Sequence, residues 1–492
     1  MRALEEIDGE GRERYSDKMS RSEAAISFTE QDLAAFSDAS GDRNPLHLSL
    51  EYARRTAYGQ PVVFGCLGAI ACLGRLPAGW RAASLEAEFL RPMFIGVAYR
   101  VETWEKDGKW GARLFDGSMP TLSVTVTAGP ATANVGREET AAPRFERTEA
   151  AARRGEEIVP GVTVSGTYAC DAPALAKVIE RWGGDRFLAA FLAWSSYLIG
   201  MELPGESALF SKVALRFDGP APDRGPISYR AEVTSADARF GLIQIQISSP
   251  AASGNCWSFI RPAAPEPEQI DSAGVNCDSL SGRTAVLLGS SRGLGAALKQ
   301  ALERRGADVY GMSRSLPAGG PPRTVAGDAS DPDALRRLRE RVAHEHGRLD
   351  FLICNACPPI LPLRLEPNAA ERIGTYIHQA VNLTLAPMAE FLELLDRSEG
   401  CAVIISSEAA ERPVREWPHY VAAKRAIEGL ASVAAMQYPK VRSLIVRPAK
   451  LLTAMTNTPM GRLGAASPAL VAGRIAARLE RPLEPGKTEI LG

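Results

Sequence analysis

The stretch "TAVLLGSSRGLGAALKQALERRGADVYGM", residues 284–312, decides how the last part of this 492-residue chain folds. "TAVLLG" (284–289) is a short apolar run closing on glycine, the signature of a strand buried on both faces. Leu294, Ala297, Leu298, Ala301 and Leu302 then recur at helical spacing, and "ADVYGM" reads as a second strand. Further apolar runs follow in "DFLICNA" (350–356), "CAVIIS" (401–406) and "RSLIVRP" (442–448), with helical stretches at 331–346, 369–396 and 418–437 between them. Strand alternating with helix predicts an α/β, doubly wound parallel sheet over residues 280–492.

Upstream the pattern changes. Each of two regions has a strongly apolar helical stretch followed by alternating strands. In the first the helix is "GCLGAIACLGRL" (65–76), and strands lie in "ASLEAEFLRPMF", "AYRVETWEKDG" and "TLSVTVTAG". In the second the helix is "APALAKVIERW" or "DRFLAAFLAWSSYLIGM", and strands lie in "SALFSKVALRF", "ISYRAEVTSADAR" and "GLIQIQISSPA". The repeated order predicts an internal duplication, with α+β domains at 1–135 and 158–262. Residues 131–157 and 261–282, polar or rich in Pro, Gly and Ser, read as exposed linkers.

Bulk composition narrows the class. The chain is 45% hydrophobic and 23% charged, with a formal net charge of −1, so no bulk field favours nucleic acid or an anionic membrane. No apolar run reaches spanning length, and the polar start "MRALEEIDGEGRERYSDK" does not read as a secretory signal. Eight cysteines without framework spacing predict free thiols in a reducing cytoplasm. Cys354 and Cys357 could make half of a redox or metal site, but no second CxxC or nearby His completes it, so no metal is expected.

In "GSSRGLG", Gly289, Gly293 and Gly295 sit between the first strand and its helix, with Ser291, Arg292 and Leu294 in the same loop. A backbone without Cβ atoms admits a pyrophosphate, and the helix N-terminus offers N–H donors. The second strand ends on Arg314 rather than on a carboxylate. With Arg292 it suits a 2′-phosphate, which predicts NADPH over NADH. Tyr420 and Lys424 stand one helical turn apart in "YVAAK", where an ammonium favours the phenolate.

Together with Asp328, Asn355, Asn382 and Ser407, these residues resemble the short-chain dehydrogenase/reductase family, with a Rossmann-type fold over about 210 residues. The resemblance implies that Tyr420 exchanges a proton with the substrate oxygen, and that Ser407 binds that oxygen. It further implies that Lys424 tunes the phenol and binds the nicotinamide ribose, and that Asn382 anchors a proton relay. Asp328 and Asn355 would lie along the adenine, and Thr453 would contact the nicotinamide amide. Two positions depart from the family: Cys354-Asn355-Ala356-Cys357 replaces Asn-Asn-Ala-Gly, and Pro448-Ala449 replaces Pro-Gly.

Near the start, "SGDRNPLH" (40–47) places Asp42 and His47 around an Asn-Pro turn, ahead of Gly65 at a helix start. A carboxylate and an imidazole facing a carbonyl held by a helix N–H suffice to add or remove water at its β-carbon. The bland reading is a capping Asp and a satisfied His. The string "SGDRNPLHLSLEYARRTAYGQPVVFG" resembles the MaoC-like, (R)-specific enoyl-thioester hydratases. That resemblance implies a hot-dog fold, a catalytic Asp42–His47 dyad and a Gly65 N–H on the thioester carbonyl. Phe64 and Ser49 stand where the family has His and Asp. No His lies between residues 48 and 343, so the second copy has no dyad of its own.

The expectation is a double hot dog followed by a reductase domain, in a bifunctional cytoplasmic enzyme. It would reduce β-ketoacyl thioesters with NADPH and dehydrate the product, or run the hydration in reverse. The substrate would ride on CoA or acyl carrier protein, and the chain would form a homodimer or homotetramer. The alternatives are a ketoreductase whose double hot dog only binds acyl chains or carrier, and an inactive scaffold.

Overall fold

A computed structural model describes residues 20–129, 142–217, 226–263, 265, 277–314 and 323–492. It divides into two units: one runs to Pro262 without Arg55–Gly59, and the other comprises Arg55–Gly59 and the residues from Ala263 on.

The first unit begins with β1 (Ser20–Ile26), α1 (Glu30–Ser40), α2 (Pro45–Leu48), α3 (Leu50–Ala53) and α4 (Gly65–Leu73). Strands β2 (Ala82–Phe89), β3 (Tyr99–Lys106), β4 (Lys109–Asp116) and β5 (Met119–Ala128) follow. Then come β6 (Thr163–Tyr168), α5 (Ala172–Trp182), α6 (Arg186–Tyr197) with a π-helical turn at Leu198–Glu202, and β7 (Ala208–Arg216). Strands β8 (Ile227–Asp237), β9 (Leu242–Ser248) and β10 (Ser253–Ile260) complete it. All ten strands form one antiparallel sheet in the order β1-β3-β4-β5-β2-β7-β10-β9-β8-β6. Read outward from β2–β7, the order is the same on both sides, which is the topology of a duplication.

The regions read from sequence as 1–135 and 158–262 thus share one sheet. They also share one core, because alternate residues on both sides of the seam face the same way. Leu85 and Ala87 of β2 and Val213 and Leu215 of β7 are buried, while Lys212 pairs with Glu86 and Glu88 on the outer face. Helix α4 is buried from Cys66 to Leu73, as a helix apolar all round must be.

Residues 142–157 are mostly exposed, as expected of a linker, but are tied down at a few points. Arg144 pairs with Ala169 in a bridge, the Ala151 N–H bonds the Met201 carbonyl, and the Phe145 ring packs on Tyr168 and Tyr197. One aromatic and a few alanines in a polar string were enough to anchor it. Of the second linker, Arg261 bonds the Ser207 carbonyl and Leu280 is buried in the second unit's core. Residues 130–141, 264 and 266–276 lie outside the described residues.

The second unit contains β11 (Thr284–Leu288), α7 (Gly293–Glu303), β12 (Asp308–Ser313), β13 (Thr324–Ala326), α8 (Pro332–His346) and β14 (Phe351–Cys354). It continues with α9 (Ala370–Arg397), β15 (Cys401–Ile405), α10 (Pro418–Gln437), β16 (Arg442–Val446), α11 (Pro459–Arg462), α12 (Pro468–Leu479) and β17 (Thr488–Leu491). The seven strands pair in parallel in the order β13-β12-β11-β14-β15-β16-β17. The order reverses between β11 and β14, where ligands bind at the carboxyl ends of strands.

Candidate active sites

In the first unit, Asp42 follows α1 in a loop turned by Gly41, whose φ of 72° lies in the left-handed region. The Asp42 carboxylate is 2% exposed. Its Oδ1 accepts the Asn44 N–H at 3.0 Å, and its Oδ2 accepts the Ser196 hydroxyl of α6 at 2.7 Å. Burial pushes the carboxyl up to about 6, against the opposing pull of those two hydrogen bonds. Asn44 pins the loop: its Nδ2 reaches the carbonyls of Gly200, Gly205 and Glu206 at 3.2, 3.1 and 3.3 Å.

His47 lies half-buried on α2 and stacks on Phe64, with ring centroids 3.9 Å apart. Its Nδ1 is 2.6 Å from the Val62 carbonyl oxygen. A carbonyl can only accept, so Nδ1 carries the hydrogen and Nε2 is the free base of a neutral ring. Burial lowers the imidazole to about 4; the Val62 bond opposes this and the Arg261 cation adds to it. At neutral pH the loop therefore presents an uncharged base and a proton-avid carboxylate. No hydrogen bond joins Asp42 to His47.

Gly65 opens α4, whose N-cap Phe64 makes no side-chain cap. A Cβ at Gly65 would stand 2.6 Å from the Phe89 ring, which is a local reason for glycine there. Ser49 caps α3 by accepting the Tyr52 N–H at 3.2 Å, so the residue that replaces the expected Asp works on the backbone.

In the second unit, the glycine loop is tight at every predicted position. A Cβ at Gly289 (φ 83°) would lie 2.9 Å from Ala356 Cα, and one at Gly295 would lie 1.9 Å from the Gly289 carbonyl oxygen. Gly293 starts α7 at φ 55°, with Thr453 Cγ2 3.2 Å from where its Cβ would be. Arg292 occupies the N-cap without a side-chain cap, Leu294 is buried, and Ser291 is exposed. Asn355 ties the end of β14 to the loop by donating to the Gly289 carbonyl at 2.8 Å. The cradle and the uncapped helix start fit a nicotinamide cofactor's pyrophosphate.

Beyond β12 lies Arg314, whose charge helps hold the Asp328 carboxyl below its usual range, although burial pulls the other way. Asp328 accepts the Ser330 N–H and hydroxyl at 2.8 and 2.6 Å. Thr453 donates its N–H to Thr456 Oγ1 at 3.0 Å.

Ser407 follows β15, Tyr420 lies on α10, and Asn382 is half-buried in the middle of α9. The Lys424 ammonium is buried; it donates to the Ile405 carbonyl at 2.7 Å and stands 5.5 Å from the Tyr420 ring centroid. The phenol nevertheless sits above its ordinary value. Burial raises it, and Lys424 and a hydrogen bond from Ser407 only oppose that rise. Sequence reasoning gave Lys424 the upper hand, but desolvation is the larger effect.

The sequence did not point to several neighbours. Glu428, one turn beyond Lys424, accepts from two Arg447 nitrogens at 2.9 and 2.8 Å and from the Ser406 hydroxyl at 2.5 Å, which clamps α10 to the ends of β15 and β16. Cys357 lies 3.7 Å from the Tyr376 hydroxyl and adopts no positive φ, so the lost glycine leaves no strain. Tyr376 meets the buried His419 edge-on at 4.4 Å.

One family model, a MaoC like domain, matches residues 14–126, and another, the short chain dehydrogenases, matches residues 283–462. An uncharacterized oxidoreductase of Mycobacterium tuberculosis is 30% identical over 190 residues, which span 35% of this chain and 71% of that protein. A 3beta-hydroxysteroid dehydrogenase of Mediterraneibacter gnavus is 27% identical over 217 residues, 43% of this chain and 73% of that one. Among solved structures, an alcohol dehydrogenase from Thermococcus sibiricus complexed with 5-hydroxy-NADP is 24% identical, with a TM-score of 0.38. That match covers 42% of this chain and 95% of the other. The chain belongs to the short chain dehydrogenase family and carries a MaoC-like domain ahead of its oxidoreductase domain. No helix among the described residues is long and apolar enough to cross a membrane.

Proposed function

We propose that this chain is a bifunctional enzyme that reduces β-ketoacyl thioesters to 3-hydroxyacyl thioesters with NADPH. It then removes water to give trans-2-enoyl thioesters, or runs that step in reverse. Residues 1–135 and 158–262 are two hot-dog domains, and residues 280–492 are the reductase. The observation that carries the reading is the pairing of a neutral His47 base with a buried, proton-avid Asp42, ahead of the uncapped start of α4.

In the reduction, the nicotinamide cofactor supplies the hydride. Tyr420, a phenol protonated at neutral pH and held so more firmly by its burial, gives its proton to the ketone oxygen, and Ser407 holds that oxygen. A protonated phenol is the form reduction requires. Lys424 and Asn382 support the phenol and its proton supply, and Arg314 with Arg292 favours a 2′-phosphate on the cofactor.

In the dehydration, the Gly65 N–H and the α4 dipole stabilise the charge that develops on the thioester oxygen. His47 Nε2 takes the α-proton, and Asp42 gives a proton to the departing hydroxyl. The proton gained by His47 then restores Asp42.

The test is to incubate acetoacetyl thioesters of CoA and of acyl carrier protein with NADPH and to read the products by mass. The wild-type protein is expected to yield both the 3-hydroxyacyl and the enoyl product. Tyr420→Phe should lower NADPH oxidation by about 10³-fold while crotonyl-thioester hydration persists. NADPH oxidation without any enoyl product or hydration would instead make the double hot dog a binding module.

A further inference from the structure

Ser195 and Ser196 are buried side by side on α6, in the half that has no dyad. They spend their hydroxyls differently. Ser195 donates to its own helix, at the Phe191 carbonyl 2.8 Å away, as mid-helix serines commonly do. Ser196 turns outward and donates to Asp42 Oδ2 at 2.7 Å. One turn later, Gly200 leaves room for the same carboxylate: a Cβ there would stand 2.5 Å from Oδ1. The π-helical turn at Leu198–Glu202 carries that glycine, and Asn44 grips its carbonyl. Alanine forms helix better than serine and costs nothing to bury; the Ser196 hydroxyl is spent on Asp42, with the Cys66 thiol as its second polar neighbour.

We propose that Ser196 is a positioning residue for this site, acting from the half that lacks a dyad: it holds the Asp42 carboxylate in orientation and favours the ionised form that takes a proton from the incoming water in the hydration direction. The inference rests on the dehydratase reading above. A hydroxyl donates one hydrogen, and a donor to a carboxylate stabilises its charged state. The other titratable groups facing Asp42 are Cys66 of α4 and Tyr168 of β6. Burial pushes both Cys66 and Tyr168 up, so they stay neutral where Asp42 titrates.

The test uses the full chain with Ser196→Ala, Ser196→Thr and Ser196→Cys. Hydration of crotonyl-CoA and crotonyl-acyl carrier protein is followed from pH 5 to 9, with NADPH oxidation and the melting transition as controls for folding. For Ser196→Ala, kcat is expected to fall ten- to a hundredfold with KM within about twofold, and the acid limb to move up by about one pH unit. Ser196→Thr should restore both. Ser196→Cys, a weaker donor of similar size, should shift the limb less and serves as the measurement if the Ala variant does not fold. An Ala variant with unmoved kcat and limb overturns the inference, as does a folded Thr variant as impaired as Ala. A wild-type chain that hydrates neither thioester overturns the functional reading and this inference with it.

Discussion

The two halves of the ten-stranded sheet share a strand order and differ in what lies between their helices. In the first half, residues 41–64 separate α1 from α4 and carry Asp42 and His47; in the second, residues 183–185 join α5 directly to α6. The helix starts differ in the same sense. Helix α4 begins uncapped behind Phe64, whereas α6 begins with Asp185, whose carboxylate accepts the Leu188 N–H at 3.0 Å. One half keeps its helix dipole available and its acid buried. The other neutralises its helix start and contributes packing, Ser196 and Gly200. On the proposed dehydratase reading, the duplication separates chemistry from support.

That contrast can be broken most directly at Asp42. Asp42→Asn should reduce crotonyl-thioester hydration by about 10³-fold and leave NADPH oxidation by the second unit unchanged. Retained hydration would remove the dyad from the first half.

The next effect is on stability. The folded carboxyl titrates near 6 and the unfolded one near its ordinary 3.8, so Asp42 contributes its full stability below about pH 4 and loses it as pH rises through 6. Asp42→Asn escapes that loss. In denaturant melts it should therefore gain about 3 kcal/mol on wild type between pH 4 and pH 8. A stability difference independent of pH would mean that the carboxylate is solvated. His47 acts in the opposite direction: the unfolded ring gains a proton below about 6.5 while the folded ring resists to about 4, so wild-type stability falls over that window as pH drops.

The smallest effect lies in the supporting half. Asp185→Ala removes a cap and should cost about 1 kcal/mol of stability in the same melts, with the hydration rate unchanged. A drop in hydration kcat would show that the start of α6 also serves the chemistry.

Much of this was legible in the sequence because it was local. Asp42, His47 and Gly65 lie on one short string that carries the MaoC-like resemblance, and Gly289, Gly293 and Gly295 sit where strand meets helix, so short motifs marked them as candidates. The strands β11, β12, β14, β15 and β16 fell where buried apolar runs stood. Strands β1, β4, β6, β10, β13 and β17 were not recognised: "SGNCWSFI" and "KWGARLFD" mix Gly and polar residues into the alternation, and their register comes from neighbouring strands. Ser196 had no local signal at all. Its partner is 154 positions away, and a serine in an apolar helix reads as filler until the tertiary contact is seen. The balance at Tyr420 was misjudged for a related reason, since burial cannot be read from the spacing of a Tyr and a Lys.

The β2–β7 seam makes the chain its own partner. Two separate copies of such a fold would have to meet by diffusion and would remain identical, so every change in one would recur in the other. Here the meeting is intramolecular and does not weaken on dilution. Each copy is free to change alone, so a lesion in Ser196 and a lesion in Asp42 can be combined or separated within a single polypeptide.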